Sequence, residues 1–255
     1  MKEKIKKIFA DCDVPAVGFC SFSAVSGHLL SCRAVSRLPE NSKTVIICVF
    51  PYKVEDAPPE NISRYAAVPD YHTVCGRMLS EVAEKLSREF TGFRFEPFID
   101  NSPIPEVAAA AFAGLGLRGK SGLLITKRWG SFVFIGEIVT DLEIECEDLT
   151  AWCKDCGKCA AACPKKDICL SDLSQKKGYL DPEQAEILRR NNIVWGCDIC
   201  AEVCPMNIGA EKTEIPEFIA GYRKSYIIGE DISGRAYAWR GEKTVRRNAE
   251  NLKKE

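Results

Sequence analysis

Seven cysteines in the second half of the chain have the spacing that iron–sulfur clusters require. Four lie in the run C-x2-C-x2-C-x3-C-P, and three lie in a later run, C-x2-C-x3-C-P. In the first run, three closely spaced thiolates can bind three corners of one 4Fe-4S cubane, while the fourth cysteine crosses to a second cluster. The sequence therefore predicts two 4Fe-4S clusters. The predicted ligands are Cys153, Cys156, Cys159 and Cys204 for cluster one, and Cys163, Cys197 and Cys200 for cluster two.

Zinc is the alternative occupant of these cysteines, because zinc also binds C-x2-C pairs. Two features favour iron–sulfur clusters instead. One is the x2-x2-x3 spacing of the first run, and the other is the proline that follows each closing cysteine, Cys163 and Cys204. We therefore predict a bacterial dicluster ferredoxin-like domain over residues 146–210.

Length and composition limit the class of protein that surrounds these clusters. The chain has 255 residues, of which 46% are hydrophobic, enough to bury one large core and a small one, or two moderate cores. Its 35 basic and 36 acidic residues exclude a global basic field for nucleic acid. No apolar run has the length of a membrane span, and the N-terminus lacks the apolar region of a signal peptide, so no membrane partner is expected. Fourteen cysteines in a chain of this size indicate a reducing cytoplasm rather than a secreted disulfide scaffold.

The rest of the sequence predicts the elements that must position a site. Hydrophobic patterning indicates a first domain over residues 1–145, and the acidic stretch Glu143–Asp148 marks its end. A C-terminal helical extension is predicted over residues 211–255. The predicted strands are Ala16–Phe22, Thr44–Phe50, Phe93–Ile99, Leu123–Ile125 and Ser131–Leu142, and the predicted helices are Lys2–Cys12, a stretch that begins at Tyr71, and Val107–Leu115.

A glycine-rich segment, Gly114–Ser121, matches the phosphate-loop pattern G-x-x-x-x-G-K-[ST]. That motif requires a strand before the loop and a helix after it. Here a helix is predicted before the segment and a strand after it. We therefore interpret the segment as a backbone-lined loop that contacts a large cofactor.

Several separated motifs, in this order and at this spacing, resemble those of epoxyqueuosine reductase. They are Tyr65, Asp70–Val74, Asp100–Pro103, Gly114–Gly116, Gly119–Lys120, Gly130–Ile138 and the two cysteine runs. The resemblance covers most of residues 40–210. It implies a cobalamin-dependent iron–sulfur enzyme that reduces the epoxide of epoxyqueuosine in tRNA to an alkene. It also implies an α+β first domain with a nitroreductase-like fold, similar to the cobalamin-binding modules of reductive dehalogenases.

Carried over by motif, Asp100 is the expected catalytic proton donor. Reductive removal of an epoxide oxygen needs electrons at carbon, which Co(I) cobalamin supplies, and a proton at oxygen, which a carboxylic acid supplies. An acid that acts near neutral pH needs a raised pKa, which an apolar, closed site provides. The alternative role for Asp100 is to cap the helix that follows. The resemblance also implies that cobalamin contacts come from Ser63, Lys120, Ser121, Leu124 and Ile135.

His72 is one of two histidines in the chain. It lies within the Asp70–Val74 motif and could approach cobalt, but we expect it to be packed at the start of a helix. The sequence contains no D-x-H-x-x-G stretch of the kind that supplies a cobalt-ligating histidine.

The sequence departs from the family at the fourth ligand of cluster two. Family members usually carry a cysteine shortly after a Leu-Asp segment, whereas Leu180-Asp181 is followed by none. We expect Cys169 to replace it, with Cys146 as the alternative. If neither residue reaches the cluster, cluster two has three cysteine ligands and a labile corner.

A second departure concerns tRNA. Family members continue into a helical repeat domain that helps to hold tRNA, and this sequence ends at Glu255, which predicts a short member without that domain. Residues 235–255 contain seven basic and three acidic residues, a bias that a solvated helix face explains as well as phosphate contacts do. A smaller substrate, or a tRNA bound through fewer contacts, therefore stays open.

The combined prediction is a cytoplasmic reductase that receives electrons from an external donor, such as a ferredoxin or flavodoxin. The electrons pass through two clusters to cobalamin and reduce a small-molecule or tRNA-borne substrate. Two other classes remain as alternatives. One is a dicluster electron carrier without cobalamin, and the other is an RNA-binding protein with structural clusters.

Overall fold

The computed structural model of the protein describes residues 1–253, which form two compact units. The first unit contains residues 1–51 and 72–155, and the second contains residues 52–71 and, of the described residues, 156–253. Residues 52–71, which were predicted to belong to the first domain, therefore group with the cysteine-rich part of the chain. The boundaries predicted at residues 145 and 210 remain predictions.

The described residues contain six strands and eleven α-helices. The strands are β1 (Ala16–Ser21), β2 (Thr44–Pro51), β3 (Phe95–Ile99), β4 (Leu117–Arg118), β5 (Leu124–Ile125) and β6 (Val133–Thr140). The helices are α1 (Lys2–Ala10), α2 (Phe22–Ser26), α3 (Arg64–Ala67), α4 (Tyr71–Glu89), α5 (Glu106–Phe112), α6 (Lys158–Ala162), α7 (Leu170–Gln175), α8 (Pro182–Arg190), α9 (Ile199–Glu202), α10 (Pro216–Ala220) and α11 (Glu242–Leu252).

The first unit is built on a four-stranded antiparallel sheet in the order β1-β2-β6-β3. All eight residues of β2 are buried, as expected for a continuous apolar run with a neighbour on each side. The apolar run Thr44–Phe50 was predicted as this strand, and the structure confirms it with one more residue, Pro51. The fold is thus a mixture of helices and antiparallel strands.

One face of this sheet is covered by α5. Val45, Ile47 and Val49 of β2 pack in the same core as Ala109 and Ala110 of α5. The chain comes so close where α5 ends that a Cβ atom on Gly18 would lie 2.3 Å from the carbonyl oxygen of Ala113. Glycine at this position is therefore what lets the helix lie against β1.

The strand predicted over Ala16–Phe22 ends one residue early, at Ser21. The Ser21 hydroxyl accepts a hydrogen bond from the backbone N–H of Ala24 at 3.3 Å and so caps α2, which starts at Phe22. The predicted helix that begins at Tyr71 is confirmed as α4, which ends at Glu89.

The glycine-rich segment lies between α5 and the short hairpin of β4 and β5. The backbone N–H of Gly119 donates to the carbonyl oxygen of Leu123 at 2.9 Å, which closes the loop of the hairpin. A helix precedes the segment and a strand follows its first residues, so the context of a phosphate loop is absent from this described stretch. The helix predicted before this segment and the strand predicted after it are confirmed.

The second unit has its own core, centred on the aromatic side chains of Trp195, Tyr226 and Tyr237. The segment before α3 pairs with this core, because the backbone N–H of Ser63 donates to the carbonyl oxygen of Trp195 at 2.8 Å. Among residues 1–253, no helix is both long enough and apolar enough to cross a membrane.

Candidate functional site

Asp100 directly follows β3 in a tight turn with a left-handed backbone conformation, φ +59°. The turn is closed by the backbone N–H of Ser102, which donates to the carbonyl oxygen of Asp100 at 2.6 Å. Aspartate is one of the few side chains that tolerate this conformation. The helix-cap alternative for Asp100 is wrong, because Pro105 occupies the N-cap of α5 and no side chain caps that helix.

His72, in the first turn of α4, lies beside Asp100. Its Nε2 atom is 3.1 Å from Oδ2 of Asp100, and the two side chains are 40% and 60% exposed. The expectation of a packed histidine is therefore wrong: the imidazole lies at the surface and contacts the carboxylate. An imidazole in this position can orient the carboxylate and exchange a proton with it. Sequence reasoning missed this pair, since its members are 28 residues apart.

The apolar, closed surroundings expected for an acid are found at two other carboxyl groups near Asp100. Glu137, in β6, is 0% exposed, and Glu106 is the first residue of α5. The register places Glu137 opposite Ile47 of β2 and opposite Phe98 of β3, so its side chain points into the core under α5. Both carboxyl oxygens of Glu137 and Oε1 of Glu106 have no hydrogen-bond partner among the described residues.

Burial keeps both of these glutamates protonated near neutral pH. Desolvation, and after it the charge of Asp100, raise the pKa of Glu106 to about 8, and the backbone N–H of Asp100 opposes the shift. Desolvation likewise raises the pKa of Glu137 well above its usual range, and the charges of Glu106 and Asp100 add to the effect. The Ser102 hydroxyl opposes this shift from nearby but lacks hydrogen-bond geometry to Glu137; instead it accepts from the backbone N–H of Ile104 at 3.0 Å.

The raised pKa values predict how stability depends on pH. A carboxyl group that stays protonated when folded but ionises near pH 4.5 when unfolded makes the folded state bind more protons, so stability falls as the pH rises. Each such group contributes a slope of about −1.4 kcal/mol per pH unit between its unfolded and folded pKa values. We expect Glu137→Gln to remove one such slope between pH 5 and 8, as measured by anaerobic urea unfolding at a series of pH values. Glu40→Gln, at the exposed surface, is the control and should keep the wild-type slope.

The first cysteine run begins next to the glycine-rich loop. The backbone N–H of Lys120 donates to the Cys153 sulfur at 3.3 Å, an N–H···S contact of the kind that tunes iron–sulfur clusters. The chain then turns sharply, with positive φ at Asp155 and Gly157, before α6. Cys153 is grouped with the first unit, and the other seven predicted cluster ligands belong to the second.

Four cysteines of the second unit share one electrostatic neighbourhood. Burial raises the pKa of Cys197 to about 11, with smaller contributions from the charges of Cys169 and Cys163. Burial also raises the pKa of Cys200 to about 11, with contributions from Cys197 and Cys169. Cys169 is therefore close enough to Cys197 and Cys200 to act on both of them. Cys146, the alternative ligand, belongs to the first unit, where its thiol donates to the carbonyl oxygen of Ile144 at 3.1 Å.

All fourteen cysteines are free thiols, as cluster ligands must be. Within residues 1–253, no three His, Cys, Asp or Glu side chains lie close enough together to hold a metal ion. A single zinc ion would draw its thiolates to within about 4 Å of one another, given a Zn–S bond of about 2.3 Å. A cubane instead offers each thiolate its own iron, so that its ligands stand farther apart.

The predicted cobalamin contacts fall in both units. Lys120 forms an ion pair with Asp155 at 2.6 Å, and Ser121 is half-buried beside it. The side chain of Leu124 is buried in the core under α5, and Ile135 packs against the same core. Ser63 belongs to the second unit; its hydroxyl is buried without a hydrogen-bond partner among the described residues.

Two family models match the chain and define its class. Residues 152–208 match the 4Fe-4S dicluster domain, and residues 33–101 match the epoxyqueuosine reductase QueG domain, DUF1730. The first match confirms the sequence prediction of two 4Fe-4S clusters. The protein is thus an iron–sulfur protein of the two-cluster class.

Comparison with characterised proteins narrows this class to one family. The chain is 30% identical to the epoxyqueuosine reductase of Leadbetterella byssophila over 86% of the chain and 77% of that relative. It is 29% identical to the Lactococcus garvieae enzyme, over 97% of the chain and 85% of the relative. The structure of the Streptococcus thermophilus enzyme shares its fold, with a TM-score of 0.81 and 24% identity over 99% of the chain and 80% of that structure. The chain belongs to the epoxyqueuosine reductase family, a family of oxidoreductases, as its motifs predicted.

The chain covers less of several other relatives. It spans 61% of the Listeria monocytogenes enzyme, 64% of the Gloeobacter violaceus enzyme and 56% of the Aliivibrio fischeri enzyme. The substrates of these longer relatives are therefore assigned to this chain only as a proposal.

Proposed function

We propose that the protein is a cobalamin-dependent iron–sulfur reductase that removes the oxygen of an epoxide, with Asp100 as the proton donor. The observation that carries this proposal is the placement of Asp100, at the tip of a tight turn and in contact with His72. The epoxyqueuosine reductase of Bacillus subtilis likewise has a catalytic loop with an aspartate, which can swing out of its active site. Asp100 lies in an exposed turn that directly follows β3, which supports the proposed role.

The chemistry divides between the cofactor and the side chains. Conversion of an epoxide to an alkene and water consumes two electrons and two protons. Bound cobalamin would supply the electrons to carbon. Asp100 gives a proton to the departing oxygen, and His72 holds the carboxyl group toward the substrate through the contact between Nε2 and Oδ2.

The buried Ser63 hydroxyl supports the presence of cobalamin, because a buried polar group normally has a hydrogen-bond partner. We assign the missing partner to the corrin, together with contacts from Lys120, Ser121, the backbone of Leu124, and Ile135. The reductive dehalogenase NpRdhA shares the fold with a TM-score of 0.52 at 17% identity, over 98% of the chain and 37% of that structure. This similarity in fold supports the expected nitroreductase-like character of the first domain.

Hydroxocobalamin binding tests the proposal against its closest rival. Anaerobically purified protein should retain cobalamin on gel filtration and, after reduction, show the EPR signal of cob(II)alamin. Ser63→Ala should weaken cobalamin binding about 2- to 12-fold, the equivalent of one hydrogen bond of about 0.5–1.5 kcal/mol. Ser80→Ala, on the exposed face of α4, should leave binding unchanged. Clusters without any bound cobalamin would instead identify a dicluster electron carrier.

For the clusters, we propose the ligand sets Cys153, Cys156, Cys159 and Cys204, and Cys163, Cys169, Cys197 and Cys200. The shared electrostatic neighbourhood of Cys169, Cys197 and Cys200 supports the second set. Thiolate-bound clusters require a reducing compartment, so we propose a cytoplasmic location and an external ferredoxin or flavodoxin as electron donor. Because burial disfavours the free thiolates of Cys197 and Cys200, the positive charge of the irons is what would keep them ionised.

We further propose that the epoxide is borne by tRNA. A related epoxyqueuosine reductase, 23% identical with a TM-score of 0.82, has been solved with an epoxyqueuosine-modified stem loop of tRNA-Tyr. The basic residues of α11 contribute little here, because Arg246 pairs with Glu250 and Arg247 donates to the carbonyl oxygens of Lys176 and Gly178. Two assays separate tRNA from a smaller substrate: a salt-dependent tRNA gel shift, and turnover of the free epoxyqueuosine nucleoside.

A further inference from the structure

We propose that Glu106 and Glu137 form a buried pair of protonated carboxyl groups that resupplies Asp100 with protons, with Glu106 as the immediate donor. The proposal rests on the function proposed above, since it assigns Asp100 as the acid that loses a proton in each turnover. Neither Glu106 nor Glu137 is among the residues predicted as the catalytic acid or as cofactor contacts, although Glu137 lies within the Gly130–Ile138 motif.

The geometry places the pair directly behind Asp100. Asp100 directly follows Ile99, which pairs with Gly136 next to Glu137, and Glu106 begins the helix α5 that covers this face of the sheet. Glu137 lies one layer deeper, in the middle of β6, and the charges of Glu106 and Asp100 both act on it. The three carboxyl groups therefore lead from an exposed side chain, Asp100, to one that solvent does not reach.

The lack of hydrogen-bond partners indicates that the carboxyl groups of Glu106 and Glu137 are protonated and that their O–H donors are unused. An ionised carboxylate in the core would need several donors, yet three of the four oxygens of the pair have none among the described residues. A protonated carboxyl group carries its own O–H donor and can pass that proton to a neighbouring carboxylate. Two protonated groups beside Asp100 thus hold as many protons as one reduction of an epoxide to an alkene and water consumes.

Among the described residues, no lysine or arginine is one of the groups that shift the pKa of Glu106 or Glu137. The turn contributes the Asp100 carboxylate and the Ser102 hydroxyl, and β2 and β3 contribute the apolar Ile47 and Phe98 opposite Glu137. Glu137 in turn acts on two buried thiols, Cys20 of β1 and Cys48 of β2, both of which burial keeps neutral. His72 faces the assembly from α4 through Asp100.

The proton balance closes with solvent as the final source. Asp100 gives its proton to the substrate oxygen and takes the O–H proton of Glu106 in its place. Asp100 passes this second proton to the same oxygen to complete water, and Glu137 transfers its own proton to Glu106. After product release, solvent restores the two consumed protons through the exposed Asp100 and His72. No electron moves in these steps, and the two electrons of the reduction come from the reduced cofactor.

Infrared absorption of the resting protein tests the pair without substrate. At pH 7 we expect two buried carboxylic acid bands that shift in D2O, one lost in Glu106→Gln and the other in Glu137→Gln. In Asp100→Asn, loss of the neighbouring charge should let the Glu106 band disappear at a lower pH than in the wild type. Absence of the bands at pH 7, or a Glu106 titration unaffected by Asp100→Asn, overturns the proposal. The infrared experiment needs no turnover, so it tests the carboxyl pair even if the protein fails to reduce epoxyqueuosine.

Turnover separates a proton relay from a merely structural acid pair. Glu106→Gln should lower kcat about 100-fold with KM unchanged, enlarge the solvent isotope effect on kcat, and keep iron and cobalamin contents at wild-type levels. Glu106→Asp should recover part of kcat, because it restores an acid. Glu96→Gln, on the neighbouring strand β3, is the control and should retain wild-type kcat. A Glu106→Gln enzyme with the wild-type kcat and pH profile would show that the pair serves the fold alone.

Discussion

Asp100→Asn should lower turnover about 10²- to 10⁴-fold, the contribution typical of a positioned general acid. Asparagine has the shape of aspartate and tolerates the same left-handed backbone, so the turn that closes between Ser102 and Asp100 should persist. What the variant loses is the proton that the departing epoxide oxygen needs. The measurement is the rate of conversion of epoxyqueuosine in modified tRNA under anaerobic conditions, alongside iron and cobalamin analysis of the same sample.

Asp141→Asn is a matched control for this experiment. The Asp141 carboxylate accepts the backbone N–H of Arg94 at 2.8 Å, and an amide oxygen can replace it in that contact. This variant should turn over at the wild-type rate. If Asp100→Asn did so as well, with both cofactors bound, another group would be the acid and Asp100 would serve only the geometry of the turn.

Cys169→Ala should reduce the iron content from about eight atoms per chain toward about four, because cluster two would lose its fourth ligand. The substitution should spare the local fold. Cys169 is the N-cap of α7 but makes no side-chain capping bond, and the backbone bond from the Leu173 N–H to its carbonyl oxygen, 2.9 Å, does not involve the thiol. Iron analysis and EPR of the dithionite-reduced protein measure the loss directly.

Cys146→Ala serves as the comparison for this loss, since Cys146 was the alternative ligand. We expect it to keep both clusters, because its thiol already donates to Ile144 and its neighbourhood is that of Cys20 and Asp148. Full iron occupancy in Cys169→Ala, combined with loss in Cys146→Ala, would reverse the assignment. An intermediate loss in Cys169→Ala, with three irons left in cluster two, would indicate a cubane with a labile corner.

The local features of this protein could be predicted from its sequence. The spacing of the cysteine runs is itself the requirement of the clusters, so the dicluster domain needed no tertiary information. The apolar run at Thr44 could only be a buried strand, and the apolar periodicity that starts at Tyr71 could only be a helix. The position of Asp100 between a strand and a helix followed from the same patterns. Element ends were less certain, as at Ser21, where one hydroxyl decides whether a strand continues or a helix begins.

Only the tertiary structure decided which side chains surround Asp100. His72 reaches it from a different element, and Glu137 lies on one face of the predicted strand Ser131–Leu142, whose sequence does not show that this carboxyl group is buried. Whether that face of β6 meets solvent or a helix depends on where α5 packs. The sequence of a single strand does not determine where that helix packs. Proton chemistry near neutral pH depends on burial and on nearby charge, both of which are set by residues distant in the chain. For this reason the metal ligands could be predicted from the sequence, whereas the pair Glu106 and Glu137 behind Asp100 could not.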